Sequence, residues 1–422
     1  MTLRLLLAVC TLGFTVTAEA QCRFDPLDQG RVVKISGAQL PAAYGMSLSS
    51  LSVMRVEKGR LIPVAYQFDE MDQKGMVWFA DSGFELAGSP GQLDGQDQLL
   101  MMLTDAGPRA PADLKPEQGE LVARLTVAED CHFYLVQGNP ERSDNYYVAH
   151  DIESGETRTA LYQLDVDPDN ELNWRYLGYR GYLGEGSIID TLKMRMSAGV
   201  LSRFTRMTLD NHNLRPKRVG FSVGPIRSVM HLRTKVVLAG IPVMTIQVQA
   251  MRYAAHYEAH TYAKIPDLYR ATLKEPEVSV TVDGNNQSGA AVYTANFVDS
   301  PVIVDGKPDD QAFADQALTM DANWILFDSQ RDFALLTHLT VPDELMETPL
   351  ALIYQDDASL TVEPEQFPGQ LPNLGYSLHG WPQPEELRFT VSLYFEEGLK
   401  GFAADQFATR RSAEVPVQVR DR

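Results

Sequence analysis

The chain has 422 residues, 44% of them hydrophobic, and a formal net charge of −19. That length exceeds one typical hydrophobic core, so two or more domains are expected. The charge disfavours nucleic acid and anionic membranes as partners at long range, and no run after the first residues approaches the ~18 apolar residues of a spanning helix.

The chain opens MTLRLLLAVCTLGFTVTAEAQC. A basic start at Arg4, an apolar run from Leu5 to Val16 and the small residues of Ala18-Glu19-Ala20 read as a secretory signal over residues 1–20, cleaved after Ala20. Gln21 before Cys22 argues against a lipid anchor. The mature chain is therefore expected to be exported, to the periplasm or beyond. Cys10 leaves with the signal. The remaining pair, Cys22 and Cys131, predicts one disulfide in an oxidising compartment, a better reading than metal binding by two isolated cysteines. Closing a loop of about 110 residues is credited with roughly 4–5 kcal/mol in the loop-entropy account.

Alternating strand patterns between Gly, Pro, Asp and Asn breaks dominate the mature chain. RVVKISG, LSVMRVEKGRLIPVAYQFDE, GMVWFADSGFELAG, DQLLMMLTDAG and GELVARLTVAEDCHFYLVQG predict an N-terminal β-sandwich over 21–148. A larger antiparallel β-sandwich is expected over 149–422, with short helices at 344–348 and 402–411 and a proline-rich connection at 363–372. The fold class is all-β, with few helices and no internal repeat.

One segment inverts the charge. Lys193 to Lys235 holds ten Lys or Arg and a single acid, Asp210. A turn at Ala239-Gly240 would pair 226–238 with 242–254 so that partner numbers sum to about 480. Odd positions then share one face: Arg227, His231, Arg233 and Lys235 opposite Thr245, Gln247, Gln249 and Tyr253, interrupted by Val229 and Met251. Even positions (Ile226, Met230, Leu232, Val236, Met244, Ile246, Val248, Ala250) form the core face, which sets the register. Arginine forks, amides and a phenol suit an anionic or hydroxyl-rich ligand. The competing reading is that these groups pair with a neighbouring strand or loop.

Three further constellations carry chemistry. His256, Glu258 and His260 alternate in H-x-E-x-H, so on a strand they share a face and form a candidate zinc shell or a general base. The competing reading is a solvated strand end. Asp165, Asp167 and Asp169 in DVDPDNE resemble the start of a calcium loop, but Asn170 and Tyr176 break the EF-hand pattern and leave an acidic turn as the rival. Asp69, Glu70, Asp72, Asp94 and Asp97 read as turn and cap residues rather than acid/base pairs. Zinc and calcium are thus the cofactor candidates. G-x-S-x-G, P-loop and dinucleotide fingerprints are absent.

GPIR before the long strand, the next strand through Val248, and the late LGYSLHGW and LRFTVSLYF together resemble the galactose-mutarotase-like β-supersandwich of carbohydrate-active and envelope proteins. The resemblance implies a saccharide surface on the concave sheet face and carries over no catalytic residue. The expected function is a noncatalytic envelope binder of an anionic or saccharide-like ligand, such as an acidic glycan, with Arg227, Arg233, Lys235, Gln247, Gln249 and Tyr253 as contacts. Its rivals are a polysaccharide lyase or glycoside-cleaving enzyme working through His231 and Tyr253, and an assembly protein that meets an envelope partner through strand edges.

Overall fold

The computed structural model describes residues 22–179, 186–308, 311–314, 316–359, 372–381 and 385–421. The expected signal sequence and nearly all of the 363–372 connection lie outside them. Seven strands come first: β1 (Val32–Ser36), β2 (Leu51–Glu57), β3 (Arg60–Pro63), β4 (Tyr66–Asp69), β5 (Gln98–Met102), β6 (Glu120–Ala128) and β7 (Cys131–Gln137). β8 (Ala149–His150), β9 (Glu156–Arg158), β10 (Tyr162–Asp167) and β11 (Asn170–Tyr179) form a small four-stranded sheet.

The large region continues with β12 (Ile189–Val200), β13 (Arg206–Leu209), β14 (Leu214–Arg215), β15 (Arg218–Val223), β16 (Arg227–Leu238), β17 (Ile241–Tyr253) and β18 (His256–Lys264). Helix α1 (Asp267–Thr272) leads to β19 (Leu273–Gly284), β20 (Ala291–Thr294) and β21 (Phe297–Ile303). After α2 (Gln311–Ala314) come β22 (Ala317–Leu318), β23 (Ile325–Asp328), β24 (Ala334–Thr340), β25 (Leu350–Gln355), β26 (Asn373–His379) and β27 (Glu386–Glu396). Helix α3 (Ala404–Ser412) and β28 (Gln418–Asp421) close the described chain.

Two sheets form the large sandwich. One has the order β13-β12-β19-β26-β25-β22; the other runs β14-β16-β17-β18-β27-β24-β23-β20-β21, with β15 also on β16. Met230, Leu232 and Ala250 of the second sheet pack into one core with Leu192, Leu374 and Tyr376 of the first. Here the all-β expectation holds, and so does the long hairpin: Arg227 faces Tyr253, and the pairing runs to Lys235 opposite Thr245 without a slip. The core face follows the expected parity, except that Ile226 turns toward the N-terminal strands with Val229 and Met251. Of the expected helices, α3 matches 402–411, the 344–348 segment holds a single turn at Asp343–Leu345, and α1 lacks the length to show a helical period.

The N-terminal strands make two sheets, β1-β5-β4 and β28-β6-β7-β2-β3. Val33, Ile35, Leu99 and Met101 pack against Val53, Leu125, Phe133 and Leu135 between them. The opposite face of the three-stranded sheet is also buried, because Val32, Leu100 and Met102 pack against Ile226, Val229, Met251 and Tyr253. This sheet is a middle layer, which explains why LLMM in β5 is continuously apolar rather than alternating. β28, at the far end of the chain, pairs with β6, Arg420 opposite Arg124, and so joins the five-stranded sheet. Cys22 and Cys131 are bonded across that sandwich, in keeping with an oxidising compartment. No helix among the described residues is long and apolar enough to cross a membrane.

The bond closes a loop with a sequence separation of 109. The C22S/C131S variant should lose roughly 2–5 kcal/mol of stability, read as a lower urea midpoint that matches the midpoint of the reduced wild-type protein.

Candidate functional site

The charge-inverted hairpin does not face solvent. Loop 77–84 from the N-terminal part lies on it. Gln249 accepts from the Val77 amide at 2.9 Å and donates to the Val77 carbonyl at 2.7 Å. Arg233 donates to the Asp81 and Ser82 carbonyls, both at 2.8 Å, and Gln247 donates to Ser82 at 3.4 Å. His231 is fully buried between the two glutamines, with Nε2 3.1 Å from the Gln247 Oε1 and Nδ1 3.1 Å from the Gln249 Nε2. An amide nitrogen can only donate and an amide oxygen only accept, so the ring is neutral with its proton on Nε2. Burial lowers it to about 4. Phe79 and Phe84 pack beside it.

At the other end of the hairpin, Arg227 is 1% exposed. It meets Asp69 at 2.7 Å, donates to the Tyr253 hydroxyl at 2.7 Å, and reaches Gln98 at 3.2 Å. Gln67 accepts from the Arg227 amide at 3.1 Å. The glycine of GPIR allows that approach, because a Cβ on Gly224 would stand 2.1 Å from the Gln67 Oε1. The expected ligand contacts Arg227, Gln247, Gln249 and Tyr253, with the catalytic suspect His231, are therefore buried and engaged with the protein's own N-terminal strands and loop. Arg233 is half-buried and likewise engaged. Lys235, near the hairpin tip opposite Thr245, is exposed. The rival reading of this face, pairing with a neighbouring segment, describes what is seen.

Polar contacts continue from this interface into an open cleft. Tyr253 donates to Glu258 at 3.0 Å. Glu258 also takes Lys34 of β1 at 2.7 and 2.9 Å, and lies 3.4 Å from His256 and 3.2 Å from His260. His256 is stacked between Tyr253 and Tyr394. The three residues of H-x-E-x-H do share a face, on β18, and β27 sets Tyr394, Ser392 and Thr390 directly opposite them. The resulting cleft, about 420 Å³, lies between β1 and the large sheet, with Ser36, Gln39 and Gln98 on one wall and Thr390, Ser392 and Tyr394 on the other.

Charge at the cleft floor is settled by these contacts. Burial alone would raise the Glu258 carboxyl, but Lys34, His256 and His260 outweigh it and hold it well below the usual carboxylate range. Burial opposes the Lys34 ammonium, which Glu258 nonetheless holds above its usual range. Burial lowers His256 to about 4. The floor therefore presents a fixed carboxylate with an ammonium on it and a half-buried His260 beside it. At the expected zinc shell of His256, Glu258 and His260, Lys34 supplies a cation to both Glu258 oxygens, and no three His, Cys, Asp or Glu among the described residues are arranged to hold a metal.

The acids of the expected calcium loop lie where β10 turns into β11. Asp167 accepts from the Asp169 amide and Asn173 and pairs with Arg175 at 3.2 Å, at the hairpin between β10 and β11, while Asp165 lies opposite Tyr176. Asp72 caps its own turn through the Lys74 and Met76 amides, and Glu70 accepts from Gly91. Among those acids, Asp69 departs from the expected turn role by pairing with Arg227. Sequence reasoning missed Lys34, Gln98 and the T-x-S-x-Y alternation of β27. That alternation was visible in LRFTVSLYF, whereas its pairing with β18 was not.

No protein-family model and no curated protein sequence matches the chain. In structure it is similar to an α-mannosidase from Enterococcus faecalis V583 (TM-score 0.51, 9% identity, covering 94% of this chain and 44% of that one). It is also similar to a protein in glycosyl hydrolase family 38 from Enterococcus faecalis (TM-score 0.50, 9% identity, 93% and 46%). The aldose epimerase homologue from C. elegans is a weaker match (TM-score 0.29, 9% identity, 58% and 97%). The chain spans less than half the length of the two Enterococcus structures, and what it shares with them is the fold.

Two measurements test the buried contacts. Arg227→Met should cost roughly 3–5 kcal/mol, since it strands Asp69, and adding Asp69→Leu should recover most of the loss. Urea midpoints of the single and double variants check this; a single-variant loss below about 1 kcal/mol would remove Arg227 from its structural role. For His231, the unfolded ring titrates near 6.5 and the folded one near 4. Its contribution is therefore complete above pH 6.5 and is lost as pH falls toward 4, by about 3 kcal/mol. Asp97 and Asp283, each raised to about 6 chiefly by burial, act in the opposite sense between pH 4 and 6. His150 and His256, also lowered by burial, act in the same sense as His231, so the readout is the difference in slope of stability against pH between 4 and 6.5, which should be less positive for His231→Gln than for wild type.

Proposed function

We propose that this chain is an exported saccharide-binding protein whose ligand occupies the cleft above Glu258. The observation that carries the reading is the fixed floor: a buried carboxylate held by Lys34, His256, His260 and Tyr253 beneath walls of hydroxyl and amide groups. Sugar hydroxyls both donate and accept, so they match Ser, Thr, Gln and Tyr groups that can do either. Because the polar groups are held before binding, little ordering cost remains. A fold shared with α-mannosidase structures supports the sugar reading, and the Cys22–Cys131 bond supports export. The two-part division, an N-terminal sandwich and a larger supersandwich, belongs to the same proposal, with the cleft at their junction. An anionic sugar would meet Lys34, with Arg31 also on the cleft wall.

His260 favours a second reading. Its Nε2 is hydrogen-bonded to Glu258 and the ring is half-buried at the cleft, an arrangement suited to moving a proton on a bound sugar. It replaces His231 and Tyr253 as the group to test for catalysis.

The purified chain should be titrated calorimetrically with acidic and neutral oligosaccharides at low and moderate salt. At least one glycan should bind, and His260→Ala should weaken it roughly tenfold, about 1.4 kcal/mol. No binding across the panel, or affinity unchanged in both His260→Ala and Lys34→Met, rejects the cleft as the site. Ultraviolet-absorbing unsaturated products formed from uronate polymers by wild type and not by His260→Ala would establish the catalytic reading.

A further inference from the structure

A second cleft, of about 480 Å³, lies on the other face of the five-stranded sheet. β28, β6 and β7 are neighbours there, and their register sets Arg420 opposite Arg124 and Arg124 opposite Tyr134. Side chains on one sheet face alternate with those on the other, so these three form a row across adjacent strands. The inner face of the same strands is the apolar core of Leu125, Phe133 and Leu135. Arg109 joins the row from the segment above it, where the Ala110 amide donates to the Tyr134 hydroxyl at 2.5 Å.

Like charges directly opposite on paired strands destabilise a sheet. The cost should have been easy to relieve in a chain with 56 acids and 37 Lys or Arg. Yet among the described residues none of Arg109, Arg124 and Arg420 has an ion-pair partner, and the Arg124 Nε is buried with no hydrogen bond. Three guanidiniums thus converge with donors left over on one cleft, whose lining includes a single acid, Asp421. The field they make is felt by His132, on the same sheet face two residues from Tyr134, which is lowered first by burial and then by Arg124 and Arg109, with a smaller contribution from Arg420 and an opposing one from Asp130. Leu61, Leu114 and Leu121 supply an apolar wall.

We infer that this cleft is an oxyanion-binding site: Arg109, Arg124 and Arg420 grip a sulfate, phosphate or carboxylate group, and the leucine wall takes the organic part of the molecule that bears it. Guanidinium forks match such oxyanions in bidentate geometry, and an incoming anion removes the Arg124–Arg420 repulsion. The inference rests on the first sandwich alone and stands apart from the Glu258 cleft.

The test is calorimetric titration of the full mature chain with inorganic sulfate, inorganic phosphate and glucuronate at ~50 mM salt, where the Debye length is still above about 10 Å. At least one should bind. Tighter binding of glucuronate than of the inorganic ions identifies an organic anion as the source, and the reverse order identifies free oxyanion. Either affinity should fall at least tenfold in Arg124→Gln and further in Arg124→Gln/Arg420→Gln, while Arg206→Gln, outside the cleft, leaves it unchanged. No binding of all three probes, or binding undiminished in the double variant, overturns the inference. Folding is controlled by the urea midpoint in chloride. Arg124→Gln should leave the midpoint unchanged or raise it, because it relieves repulsion; a lowered midpoint would mark Arg124 as a structural residue with a partner and overturn the inference as well. Added sulfate should raise the wild-type midpoint by more than that of the double variant, the rise common to both being the general salting effect of sulfate.

Discussion

Arg227 is the contact on which the architecture turns. It is a buried guanidinium at the start of the longest hairpin, and its partners Asp69 and Gln98 belong to another sheet. A charge taken out of water must be met by an opposite charge and hydrogen bonds in good geometry, or the fold loses several kcal/mol. Meeting it fixes where the three-stranded sheet sits on the large one. That placement brings Val32, Leu100 and Met102 against Ile226, Val229 and Met251, and apolar burial then consolidates a position that the polar contacts specify.

The same placement creates the cleft. Lys34 lies on β1 two residues from Val32, on the same face, so the docking that buries Val32 also carries the ammonium to Glu258. Without β1 the carboxylate would be a buried charge with two histidines and a phenol for company. With β1 it becomes a fixed anion whose state does not change near neutral pH. Polar contacts run from Asp69 through Arg227 and Tyr253 to Glu258, so the interface and the proposed site share residues. Neighbours in such a network are not expected to act additively when altered.

The basic and amide face of the hairpin thus has a physical account. Arg227, Arg233 and Gln249 face backbone carbonyls of loop 77–84 and a carboxylate of β4, which a sheet packed over the hairpin would otherwise leave without donors. Burial of Arg227, His231, Gln247 and Gln249 is tolerated because each has a hydrogen-bond partner. The Arg124 Nε is buried without one, at the outer cleft.

Much of this was legible in the sequence. The alternation of 226–238 and 242–254 determined the hairpin, its register and its two faces, because a one-residue slip would have put the apolar set in water. Cys22 and Cys131, the two cysteines outside the opening apolar run, determined the disulfide, and H-x-E-x-H determined that His256, Glu258 and His260 share a face. What covers each face was decided only by the tertiary structure. Lys34 and Glu258 are 224 residues apart, Arg227 and Asp69 are 158 apart, and β28 joins β6 from the far end of the chain. Local periodicity specifies which way a side chain points, but carries no information about which distant segment arrives there. A face of arginines and glutamines therefore reads the same whether it meets a ligand or the protein's own backbone, and the packing of the middle sheet made that choice.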